Sequence, residues 1–165
     1  MISALSPSKR VDVGIEAVSR PPDAHLVVAG DGPLRQTVDE LAARRLPGRF
    51  TRLSLSPAQM PALYRSADVF LHLSKEEAFG NVFEAMACGL PIVAHDTPPL
   101  QWIVGGREYL VDAGDPMNVA RSLELAKRAS ESERQTRVEN AARFSWSRIG
   151  KLYREFLTEV VARVR

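Results

Sequence analysis

The sequence holds one cysteine, Cys88, and three histidines in 165 residues. A lone cysteine cannot close a disulfide within the chain, and so few soft ligands exclude a structural zinc cluster. Neither sign of charge dominates: 22 Lys and Arg stand against 20 Asp and Glu. Domains that coat nucleic acid carry a clear basic surplus, so nucleic acid is not expected as a partner. The small cationic remainder still leaves room for one phosphate site. No apolar run approaches the ~20 residues a membrane-spanning helix needs, and residues 1–10 lack the apolar stretch of a signal peptide. These absences fit a reducing, cytoplasmic setting. What is present, 45% hydrophobic and 25% charged residues, suits one globular domain over residues 1–165.

Short apolar runs alternate with segments of helical period. Residues 1–5 read as the end of a strand, and residues 9–19 as a helix with Val11, Ile15 and Val18 on one face. Residues 26–29 form a strand, followed by the turn Gly30-Asp31-Gly32-Pro33 and a helix carrying Leu34, Val38 and Leu41. Further strands are expected at 50–55, 67–73, 91–94 and 109–111, with helices at 57–64, 80–87, 100–104, 116–129, 133–143 and 147–164. Strands alternating with helices predict an α/β fold: a single Rossmann-like, doubly wound parallel sheet of about six strands. Such sheets bind ligands at the carboxyl ends of their strands.

Residues 69–95 read as strand, loop, helix, turn, strand, with Gly80 and Asn81 opening the helix and Gly89 ending it. A helix N-terminus offers unpaired N–H groups and partial positive charge, a seat for phosphate. Gly80 has no Cβ to block a ligand. Glu84, one turn in, can reach a pair of ribose hydroxyls, and Glu76 or Glu77 in the loop can hold hydroxyls of a sugar. The helix dipole alone also favours acids here. His72, inside an apolar strand, reads as a packed or hydrogen-bonded core residue, His95 and Asp96 as a turn, and Trp102 and Trp146 as packing residues.

Residues 77–94, Glu-Ala-Phe-Gly-Asn-Val-Phe-Glu-Ala-Met-Ala-Cys-Gly-Leu-Pro-Ile-Val-Ala, resemble the donor-site signature of retaining glycosyltransferases of the GT-B fold, group 1 or family 4. Residues 5–17, 26–34 and 60–70, and the turn at Asp112, Gly114 and Asp115, resemble further blocks of that family in order, so the likeness covers nearly the whole chain. It implies the C-terminal, donor-binding half of such an enzyme, which moves a sugar from a nucleoside diphosphate sugar to an acceptor with retention at the anomeric carbon.

By the same resemblance, Lys9 binds the diphosphate, and Phe79, Gly80, Asn81 and Val82 present backbone N–H groups to phosphate or sugar. Glu84 holds the ribose, and Leu55, at a strand end, sits by the base. A loop acid touches the transferred sugar: the flanking residues select Glu77, whereas the family's spacing of seven residues between its glutamates selects Glu76. A second departure is Ala4, five residues before Lys9, where the family places an arginine. No cofactor and no metal is implied. The expected partners are the nucleotide sugar and an N-terminal acceptor domain or subunit against which the last helix packs. Membrane contact would come only through that domain or helix, placing the protein in the cytoplasm or at the inner membrane face. Alone, the domain is expected to bind weakly and catalyse little. The competing class is a non-catalytic nucleotide-binding or interaction module on the same fold.

Overall fold

The computed structural model describes residues 1–75, 79–106 and 108–164. Five strands, β1 (Leu26–Ala29), β2 (Phe50–Leu53), β3 (Phe70–His72), β4 (Ile92–His95) and β5 (Tyr109–Val111), alternate with helices α1 (Val11–Val18), α2 (Arg35–Arg45), α3 (Met60–Arg65), α4 (Gly80–Ala87), α5 (Pro98–Val104) and α6 (Pro116–Ala126). Helices α7 (Glu131–Ala142) and α8 (Trp146–Val164) follow. All strand pairings are parallel.

The layering is doubly wound. Along β3 and β4 successive side chains point to opposite faces. Leu71 and Val93 join Ile15, Val28, Val38 and Val119 under α1, α2 and α6. Phe70, Ile92 and Ala94 join Val82, Met86 and Leu100 under α3, α4, α5 and α7.

The expected single sheet of about six strands is instead two, ordered β1-β2 and β3-β4-β5. Residues 1–3 stand where the sixth strand would run. Ala29 N–H donates to Met1 O at 2.9 Å and Ser3 N–H to Ala29 O at 3.0 Å, and Ile2 and Ala29 form one parallel bridge. Gly30 permits this approach: its φ is +151°, and a Cβ there would sit 1.9 Å from Ser3 O. Among the described residues no ladder joins this segment to β3. Between β1 and β3 a cleft of about 370 Å³ is walled by Leu26, Val27, Val69 and Leu71. The Met1 amino group also lines it and donates to Val27 O at 2.7 Å; burial pulls its pKa down to about 5.

Local chemistry sets the helix ends. Thr97 caps α5 by accepting from Leu100 N–H, Asp115 caps α6 by accepting from Met117 N–H, and prolines occupy the first helical positions. Ser130 and Glu133 form a reciprocal capping box on α7. Helix α7 is also held by a buried ion pair, Arg137 Nε to Glu108 Oε1 at 2.6 Å, while Glu108 Oε2 accepts from Ile92 N–H at 2.8 Å. Burial outweighs these partners and raises the Glu108 pKa.

Helix α8 leaves the body of the domain. Leu152, Tyr153, Phe156, Leu157, Val160 and Val161 are exposed along it at spacings that make one helical face. Trp146, expected to pack, is 88% exposed at its start because the helix it opens is exposed along most of its length. Trp102, also expected to pack, is largely exposed and meets Phe144 edge-on at 5.3 Å. No described helix is long and apolar enough to cross a membrane.

Candidate functional site

At the carboxyl ends of β1 and β3 lies a cavity of about 430 Å³, within the range of small-molecule sites. Three pieces of chain build it. The first is residues 1–4, held along β1. The second is the 3-10 turn Pro7–Lys9, tied to the end of β3 because Lys75 N–H donates to Ser8 O at 2.9 Å. The third is the start of α4, tied to the first segment because Asn81 Nδ2 donates to Ile2 O at 2.9 Å. These ties bring Lys9, Ser74 and Asn81 onto one wall, with Lys9 Nζ donating to Ser74 Oγ at 3.1 Å.

Helix α4 opens at Gly80, which is exposed, and a Cβ there would meet nothing within 4 Å. The space over the helix N-terminus is therefore clear for a ligand. Phe79 is half-buried against the α4 core. Val82 is wholly buried, and its N–H donates to Phe79 O at 2.9 Å. The N–H groups that begin the helix thus belong to Gly80 and Asn81, while Val82 N–H is engaged within the turn.

Two other expected donor residues lie apart from the cavity. Glu84 is exposed on α4, and its Oε2 accepts from Tyr64 Oη–H at 2.6 Å. Burial first, and then Glu84, raise the Tyr64 pKa far above the ordinary phenol. Leu55 follows the end of β2, half-buried, and does not line the cavity. Glu76 and Glu77 lie outside the described residues. Ala4 is on the cavity wall, and its methyl leaves open the position where the resemblance expects an arginine. Arg10, the nearest alternative cation in sequence, is not on that wall; it adopts a left-handed φ of 51° and its Nη1 is buried without a partner.

His72, expected as a packed or hydrogen-bonded core residue, is buried and packed as expected; what the sequence did not show is its place on the cavity. It lies on the cavity wall at the end of β3, two residues before Ser74, 5% exposed. Its ring stacks on Phe70 at 6.3 Å, and Nε2 has no hydrogen-bond partner. Burial, then Lys9 and the N-terminal amine, lower its pKa to about 4. The available signal was its position near the end of an apolar strand, where such sheets bind ligands.

This arrangement, a cation and a helix N-terminus at the carboxyl ends of parallel strands, is that of a Rossmann-like nucleotide-binding domain. Residues 1–144 match the family model for glycosyl transferases group 1, and the chain belongs to that family. It is 32% identical over 150 residues to a GDP-mannose-dependent alpha-(1-6)-phosphatidylinositol dimannoside mannosyltransferase of Mycobacterium tuberculosis, covering 87% of this chain and 39% of that protein. It is 35% identical over 190 residues to a D-inositol 3-phosphate glycosyltransferase of Salinispora tropica, covering 99% of this chain and 38% of that protein. The chain thus spans about two fifths of the length of these relatives. Among solved structures, Anabaena Alr3699/HepE in complex with UDP and glucose superposes with a TM-score of 0.82 at 25% identity, covering 96% of this chain and 47% of that one. The C-terminal domain of a group 1 glycosyl transferase (LpcC) from Francisella tularensis shares the fold, with a TM-score of 0.69 at 20% identity over 85% of this chain and 80% of that one.

Proposed function

We propose that this domain holds the nucleoside diphosphate sugar of a retaining glycosyltransferase, and that an acceptor-binding domain or subunit completes the enzyme. The observation that carries this reading is the convergence of Lys9 with the α4 N-terminus on one cavity. As the sugar departs, negative charge builds on the diphosphate. An ammonium and the N–H groups of Gly80 and Asn81, fixed in place beforehand, stabilise that charge without reorganising. No metal is part of this reading. Glu76 or Glu77 contacts the transferred sugar, and Leu55 lies toward the base. The exposed face of α8 packs on the acceptor domain, so the isolated chain binds donor and turns over little. A cytoplasmic location, or one at the inner membrane face, goes with this reading.

Titration calorimetry with UDP-, GDP- and ADP-sugars tests the reading. One base series is expected to bind, and Lys9→Met to weaken it by roughly 10- to 100-fold, the loss of one charge-assisted hydrogen bond. Failure of all three to bind removes the donor-domain reading.

The second reading, a non-catalytic nucleotide-binding module, is favoured by the bond from Tyr64 to Glu84, which occupies the acid expected to hold ribose. Glu84→Ala tests whether this acid serves the nucleotide. A clear loss of nucleotide affinity keeps Glu84 in the donor site. Unchanged affinity leaves it a partner of Tyr64 alone.

A further inference from the structure

Two buried polar atoms belonging to residues of the cavity wall have no partner: His72 Nε2 and Asn81 Oδ1. A buried polar atom left unpaired costs free energy, so such atoms persist where something else satisfies them. The orientation of Asn81 is settled chemically. Its other side-chain atom is 2.9 Å from Ile2 O, which can only accept, so that atom is the amide nitrogen and the unpaired one is the carbonyl oxygen. Asn81 therefore offers an acceptor. The His72 ring is neutral at ordinary pH, and in its Nε2–H tautomer it offers a donor.

A donor and an acceptor on one wall select the chemistry of what sits there. A phosphate oxygen can answer the imidazole but has no hydrogen for Asn81 Oδ1. A hydroxyl can accept from one and donate to the other. Lys9 on the same wall supplies the charge that phosphate needs. The tie between Asn81 and Ile2 holds the acceptor in place.

We propose that His72 and Asn81 form a hydroxyl-recognising pair in the donor site, His72 Nε2–H donating to a hydroxyl of the nucleotide sugar and Asn81 Oδ1 accepting from it. This rests on the donor-binding reading, and the test separates the two. In calorimetry on the 165-residue chain, His72→Leu, which keeps apolar bulk beside Phe70 but removes the donor, is expected to weaken nucleotide-sugar binding roughly tenfold. If the nucleoside diphosphate alone binds His72→Leu as well as it binds the wild type, the hydroxyl belongs to the sugar. If the diphosphate is weakened equally and the effect vanishes with a ribose-deoxy analogue, it belongs to the ribose. Either result supports the pair. Equal affinity of His72→Leu and wild type for both ligands, alongside weakened binding by Lys9→Met, overturns the pair and leaves the donor site standing. No binding to the wild type overturns both. A measurement on the unmutated chain guards against a misfolded variant: the His72 imidazole nitrogen resonances must shift on adding nucleotide sugar, and an unmoved Nε2 signal at saturation overturns the pair.

Discussion

At His72, burial sets the protonation state. Its pKa of about 4 lies below the ordinary value of 6.5, so the folded protein holds the ring neutral. As pH falls from about 6.5 toward 4 the unfolded chain takes up a proton that the folded one refuses. Stability is therefore fully present above 6.5 and declines below it, by at most about 3 kcal/mol for this group. The buried Met1 amine acts in the same direction between pH 8 and 5. Urea denaturation at pH 7.5 and 4.5 should show this fall in the wild type and a smaller one in His72→Leu; equal slopes would place the pH dependence elsewhere. The sequence shows His72 only as a polar residue in an apolar run. Its neighbours Lys9 and Asn81 come from a turn 63 residues earlier and a helix nine residues later, and only folding brings the three to one wall.

At the scale of elements, the pair of Arg137 and Glu108 fastens α7 to β4 and β5. Both side chains are nearly fully buried, and removing one partner strands a charge in the core. Arg137→Ala is expected to lower the unfolding free energy by about 3–5 kcal/mol, read by chemical denaturation. The double variant Arg137→Met with Glu108→Leu should recover much of that loss, since it leaves no unpaired charge. Helix α4 was legible in advance, with glycine at its start, glycine after its end and an apolar face between them. What Glu84 touches was not. Its partner Tyr64 is twenty residues earlier on α3, and the bond depends on how two helices pack over β3. The end of β2 moved for a related reason. The strand expected from the sequence continues to Leu55, but the ladder with β1 stops at Leu53, opposite Ala29.

For the molecule as a whole, α8 and the cleft beside β1 mark where the domain's own packing ends. The apolar face of α8 contributes little to that packing. Deleting residues 146–165 is therefore expected to leave the melting temperature, read by circular dichroism, within a few degrees of the full chain. A large drop in melting temperature would show that α8 docks on the domain.

By itself the sequence determined the alternation of strand and helix, the doubly wound layering and the segment around Gly80, because hydrophobic period, caps and glycines act over a few residues. The family blocks added Lys9 to that segment. Tertiary structure decided the rest. It split the sheet beside residues 1–3, turned Glu84 to Tyr64, engaged Val82 N–H within its turn and set the unpaired atoms of His72 and Asn81 on the wall that holds Lys9. Those outcomes depend on contacts between residues far apart in the chain, where burial and the geometry of neighbouring elements govern which polar atoms find partners.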